Sequence, residues 1–252
     1  QIGTAAPENI MASVEPLISH STPARVDAES PKFITSPEIL HALGIIEDME
    51  SALFTFEKSD GSRYQLTLEP YDPYLLSDKD AGNLKFTTGV LSPIALNQNP
   101  MWESALQTTD EDLPLYLSNP FSLYWYEYLE ELNAVYFQFN LVRDEEEQDF
   151  ATFFSEMLRF IDERHVDKLI MDLRFNPGGN FTITEEPIAD LATHRINDAG
   201  KLFIIVGRET GSAAIAAANL IREQSNAIFY GETVSDVLLL YWSNLPVILP
   251  NS

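Results

Sequence analysis

The chain contains no cysteine. A disulfide framework, a thiolate nucleophile and a thiolate metal site are therefore excluded together, while the redox compartment stays open. Positive charge is scarce as well: 15 Lys+Arg stand against 39 Asp+Glu, a formal net charge of -24. Such a surface repels phosphate backbones and anionic lipid, so nucleic-acid and membrane-surface partners are not expected. No apolar run approaches the roughly 20 residues that cross a bilayer, so no transmembrane span is expected. The opening residues QIGTAAPENI carry neither a basic leader nor an apolar signal core, and Gln1 is not an initiator methionine. The expectation is a fragment or trimmed form, with any targeting peptide upstream. HExxH and carboxylate-loop patterns are missing and the four histidines are scattered, so no metal is expected. GxGxxG and GxxxxGK are missing too, and no cofactor is implied.

What is present is a chain of 252 residues, 45% hydrophobic, enough for a large domain or a core with a smaller companion. Residues 1–46 read as an irregular wrapping segment, because Pro7, Pro16, Pro23, Pro31 and Pro37 restrict the backbone and only short pieces such as Pro37 to Leu43 suit a helix. Residues 47–120 read as an accessory β region. It opens on a hairpin in which Ala52, Phe54 and Phe56 alternate against Tyr64, Leu66 and Leu68 around a turn at Asp60 and Gly61, and continues as loops and short strands.

Residues 121–252 carry the regular pattern. AVYFQFN (134–140), KLIMDLR (168–174), LFIIV (202–206) and AIFYG (227–231) are apolar strands. Between them lie three helices. The first buries Phe150, Phe153, Phe154, Met157, Leu158 and Ile161 on one face, with Asp144 and Glu147 at capping-box spacing. The others run from about Thr184 to His194 and along the alanine-rich stretch after Gly211. This alternation predicts an α/β fold with a mostly parallel sheet buried on both faces. The aromatic segment SLYWYEYL (122–129) suits core or interface packing, or a wall of the substrate cleft.

Open parallel sheets place their sites at the carboxyl ends of strands, and two successive strand ends carry unusual loops, NPGGN and RETGSAA, which should lie side by side. Gly178 and Gly179 can take positive φ and leave their N–H groups unshielded, which suits an ordinary strand-to-helix turn first and an oxyanion hole second. Ser212 follows Gly211 at a helix start, where it can be a nucleophile or only an N-cap.

The ordered strings KLIMDLRFNPGG, LFIIVGRETGSAAIAAANL, AIFYGET and LPVILPNS resemble the core of the tail-specific, C-terminal-processing serine peptidases. Tricorn-type enzymes and the non-proteolytic interphotoreceptor retinoid-binding protein belong to the same group. The resemblance covers about residues 120 to 252 and implies a ClpP/crotonase-like β/α core, cut short at its C-terminal end. It makes Ser212 the nucleophile, and Gly178 or Gly179 together with Ala213 the oxyanion donors. It places Asn176, Thr210, Gly211 and Glu232 at the substrate, and names peptides or unfolded polypeptides as substrate. It also weakly implies a partial PDZ-like region at the hairpin and an extracytoplasmic location. The chain departs from the lysine-dependent members: Val237 stands at the base position and no lysine follows Lys201. It looks like a lysine-lacking branch whose GEPTGG-type loop is altered here, Gly231, Glu232, Thr233, Val234, Ser235 and Asp236 standing in its place. In that branch a histidine N-terminal to the core serves as base, expected before Gln1. Within the chain His20 is the one histidine on a segment able to fold back to the strand ends. Glu209 and Glu232 could orient a base. Without a base, the same fold would be an inactive module binding peptides or apolar ligands.

Overall fold

The computed structural model describes residues 1–70, 114–119 and 122–235. Most of the loops and short strands expected over 70–120 lie outside the described residues, as do Asp236, Val237 and the LPVILPNS string.

The first 46 residues, expected to be irregular, are largely helical. Helices α1 (Pro7–Val14), α2 (Pro23–Ile34) and α3 (Pro37–Ala42) each begin on proline. At the first helical position a missing N–H costs no intrahelical bond, and the fixed φ is already helical. Thr22 caps α2 by accepting the Arg25 N–H at 3.2 Å. These helices close a small core of Ile2, Ile10, Leu40, Ala52 and Phe54 against a hairpin of β1 (Ala52–Glu57) and β2 (Arg63–Leu68). The hairpin has the expected register, with Phe54 opposite Leu66, and Asp60 accepts the Ser62 N–H across the turn at 2.8 Å.

The larger unit is a mixed α/β domain. Strands β3 (Tyr124–Leu129), β4 (Ala134–Phe139), β5 (Lys168–Asp172), β6 (Leu202–Val206) and β7 (Ile228–Gly231) form one sheet in that order. Only β3 runs antiparallel, paired with β4. The aromatic segment is therefore an edge strand: Tyr124 packs edge-on to Phe150 at 5.3 Å and Tyr126 lies against Phe160 at 5.6 Å.

Helices α4 (Phe150–Glu163), α5 (Glu185–Thr193) and α6 (Ser212–Gln224) are the crossovers. Helix α4 begins later than its capping-box pattern predicts. Asp149 is the cap, accepting the Thr152 N–H at 2.7 Å, while Asp144 accepts the Phe150 N–H at 2.8 Å. Phe150, Phe154, Met157, Leu158 and Ile161 are buried, with Ile188 and Leu191 of α5 and Ala214, Ala217 and Ile221 of α6, against Val135, Phe137, Leu169, Met171, Leu202 and Ile204. All three helices thus cover the same face. Strands laid down in sequential order, each joined by a crossover of the same hand, leave no other outcome.

The expectation of a sheet buried on both faces fails at its β7 end for that reason. Ile228 and Tyr230 are 39% and 59% exposed, and Ile170, Phe203 and Ile205 line a shallow cavity of about 350 Å³ on the side that carries no helix among the described residues. On the covered side packing is close: the rings of Phe139 and Phe150 stack at 4.4 Å and Phe150 is 1% exposed. Phe150→Ala is expected to cost about 3–5 kcal/mol of unfolding free energy in a denaturant titration, from lost burial plus a cavity the neighbours only partly fill.

Candidate active site

Parallel neighbours β5 and β6 deliver their carboxyl-end loops, 173–180 and 207–211, to one place. Thr210 stitches them: its hydroxyl donates to the Leu173 carbonyl at 2.8 Å and accepts the Gly207 N–H at 2.9 Å. The Gly211 N–H donates to the Asn176 carbonyl at 2.9 Å. The Asn176 side chain donates to the Phe139 carbonyl at 2.9 Å and accepts the Gly178 N–H at 2.9 Å. Asn176, Thr210 and Gly211 are buried, and these hydrogen bonds are spent on other parts of the loops. They support the site from beneath, and Glu232 alone of that group is exposed.

Ser212 is exposed at the first turn of α6, with φ of 45°, a left-handed conformation that a serine rarely adopts. The glycine turn lies directly against it. Gly178 has φ of 114°, and a Cβ added there would stand 2.6 Å from the Ser212 Cβ and 2.9 Å from the Ala213 nitrogen. A Cβ on Gly179 would collide with the Val142 carbonyl, because residues 142 and 178–180 pair as a short bridge: Val142 N–H to the Gly178 carbonyl at 2.9 Å and Asn180 N–H to the Val142 carbonyl at 2.7 Å. Only glycine permits these approaches.

The amide donors divide cleanly. Gly178 N–H is taken by Asn176, whereas the N–H groups of Gly179 and Ala213 form no hydrogen bond among the described residues. The α6 dipole adds positive potential where Ala213 N–H points out of the helix start.

Two ion pairs border the loops. Arg208 grips Glu232 with both arms, at 3.0 Å from Nε and 2.7 Å from the terminal nitrogen, which holds the Glu232 carboxyl below its ordinary range and raises Arg208. Both side chains are about half exposed, 50% and 53%. A carboxyl depressed on folding contributes stability above its unfolded pKa and loses it as pH falls through the folded value. Glu232→Gln should therefore lower stability by at most about 1 kcal/mol near neutrality, with the difference from wild type closing in paired thermal melts as pH falls below the ordinary glutamate range.

The second pair is buried on its aspartate side, with Arg174 28% exposed. Asp172, 0% exposed at the end of β5, accepts from Arg174 Nε at 2.8 Å and from the Tyr136 hydroxyl at 2.7 Å, while the Arg174 guanidinium stacks 4.2 Å over Tyr116. Burial first, and then the Asp172 charge, push the Tyr136 hydroxyl well above its ordinary pKa, so it remains a donor. This cluster escaped the sequence reading because its members lie 36 positions apart along the chain. The one available signal was an aspartate inside the apolar run KLIMDLR.

No base stands beside the serine among the described residues. The Ser212 hydroxyl makes no hydrogen bond among the described residues, and Glu209 is itself engaged in an interaction. His20 is engaged locally, its Nδ1 2.7 Å from the Ile18 carbonyl and its Nε2 3.7 Å from Glu15. Its neighbour Thr22 does reach the strand ends, donating to the Ser235 carbonyl at 2.6 Å. His194 ends α5 with Nε2 3.2 Å from Asp162, and His165 takes φ of 52° just after α4.

No protein-family model matches the chain, and no curated protein matches it. Among solved structures it is similar to a protein described as an S41 protease from Bacteroides fragilis NCTC 9343, at 11% identity and a TM-score of 0.35, covering 80% of this chain and 50% of that one. It is also similar to mature CPAF complexed with lactacystin, at 13% identity and a TM-score of 0.37, covering 76% of this chain and 37% of that one. The chain spans half or less of the length of these two neighbours.

Proposed function

We propose that the chain is a serine-type peptidase of the C-terminal-processing kind, lysine-lacking branch, that hydrolyses peptides or unfolded polypeptides through an acyl-enzyme on Ser212. One observation carries this reading: an exposed, strained serine at a helix start pressed against a glycine turn, with two amide donors, Gly179 and Ala213, without partners among the described residues. Attack of the serine oxygen on a peptide carbonyl forms a C–O bond and a tetrahedral oxyanion, which those two N–H groups would stabilise. A base takes the serine proton and returns it to the departing amine as the C–N bond breaks. Water then hydrolyses the ester and restores the serine. The base is unassigned, and the donors drawn from the glycine turn narrow to Gly179, since Gly178 is already bound.

A second reading, a non-catalytic module binding peptides or apolar ligands, is favoured by the lack of any hydrogen-bond partner for the serine hydroxyl among the described residues. Turnover of an unfolded casein-type polypeptide by the full-length protein separates the two. The enzyme reading predicts measurable hydrolysis that drops at least about a thousandfold in Ser212→Ala. Equal rates for the two proteins would overturn it, and binding without turnover by either would establish the module.

A further inference from the structure

We infer that Asn176 is a positioning residue that locks the glycine turn and the Ser212 turn into one rigid unit, and that its neutral amide is required for this. The inference rests on the proposed role of Ser212 for its kinetic consequence, but not for the mechanical one.

Asn176 is 0% exposed and uses both ends of its side chain in opposite senses. Its Nδ2 donates to the Phe139 carbonyl, the last residue of β4, and its Oδ1 accepts from Gly178 N–H, each at 2.9 Å. Its own carbonyl receives Gly211 N–H at 2.9 Å, and its N–H donates to the Leu173 carbonyl at 3.0 Å. Four hydrogen bonds thus tie β4, the end of β5, the glycine turn and the residue preceding Ser212 to one side chain and its backbone. The contact between turns is close: a Cβ on Gly211 would lie 3.2 Å from the Pro177 carbonyl. Only a side chain with a donor and an acceptor on one carbon fits both contacts. Aspartate matches the shape, but when ionised it has no proton for the Phe139 carbonyl and sets a negative charge beside the place where an oxyanion would form. When protonated it regains both contacts.

The test has two arms on the full-length protein. In the first, amide hydrogen exchange is followed by NMR. Asn176→Ala should speed exchange at both Gly178 and Gly211 about tenfold or more, with the amides inside α4 unchanged. Unchanged Gly211 protection, or uniform loss of protection throughout the domain, would overturn the positioning role. This arm does not depend on whether Ser212 reacts. In the second, the rate of fluorophosphonate labelling is measured well below the melting temperature. Asn176→Asp should label about tenfold or more slowly than wild type at about pH 8 and recover toward it at about pH 5, as the introduced carboxyl takes a proton. A folded Asn176→Asp protein that labels within about twofold of wild type at both pH values, or one slowed equally at both, would overturn the electrostatic half. Absence of labelling in wild type, with the exchange result as expected, would leave the mechanical lock standing and count against the peptidase reading instead.

Discussion

Gly178→Ala is expected to abolish any reaction at Ser212 and to destabilise the domain by about 2–4 kcal/mol. The added methyl meets the Ser212 Cβ at 2.6 Å, the Ala213 nitrogen at 2.9 Å and the Gly211 carbonyl oxygen at 3.1 Å. None of these is the far end of a flexible side chain, so the two turns must separate. A φ of 114° adds backbone strain for any residue bearing a Cβ. Since the Gly179 and Ala213 amides sit on those same two turns, separation would also pull apart the donors expected to receive an oxyanion. A change near 1 Å in such a site is worth about a hundredfold in rate even when the fold survives. Chemical denaturation and phosphonate labelling of the same preparation check both halves. A Gly178→Ala protein with wild-type stability would mean that the turns are not in contact as described.

The second large effect is expected at Asp172, outside the reacting centre. Asp172→Ala leaves the half-buried Arg174 side chain, 28% exposed, without its carboxylate, and leaves the buried Tyr136 hydroxyl only its longer contact to Gln138 Oε1 at 3.3 Å. Losing the acceptor from a half-buried cation and a buried hydroxyl costs about 2–3 kcal/mol, below the ~3–5 kcal/mol of a pair buried on both sides. The exposed Arg208–Glu232 pair, also bidentate, should cost no more than about 1 kcal/mol when broken. Burial, not hydrogen-bond count, decides between them. A double-mutant cycle with Arg174→Met isolates the pair: the double variant should be clearly more stable than Asp172→Ala alone, and additivity of the two single losses would contradict the assignment.

The strands were legible because each apolar run is short and bounded by polar or glycine residues. LFIIV became β6 with the same limits, and the run from Ala134 became β4. The adjacency of the two loops was expected from successive parallel strands, and the neighbouring places of β5 and β6 in the sheet supply it. The N-terminal helices were hidden because proline lowers helix propensity everywhere except at the first helical position, and whether Pro7, Pro23 and Pro37 occupy that position depends on the residues capping them. Strand β3 was missed because its aromatic pattern suited a core, a cleft wall and an edge strand alike. At the candidate site, glycine and serine could be singled out by residue type. The occupation of the Gly178 amide by Asn176 could not, because it depends on the side-chain rotamer and on the carbonyl of Phe139, 37 positions away. The one-sided cover of the sheet follows from strand order, which the sequence alone leaves open.

The most direct test of the central claim is to treat the full-length protein with a fluorophosphonate and map the adduct by peptide mass spectrometry. The account predicts a single modified residue, Ser212, whose labelling is lost on unfolding and in Gly178→Ala. An adduct on another residue, or no adduct under conditions that label a known serine peptidase, would contradict it.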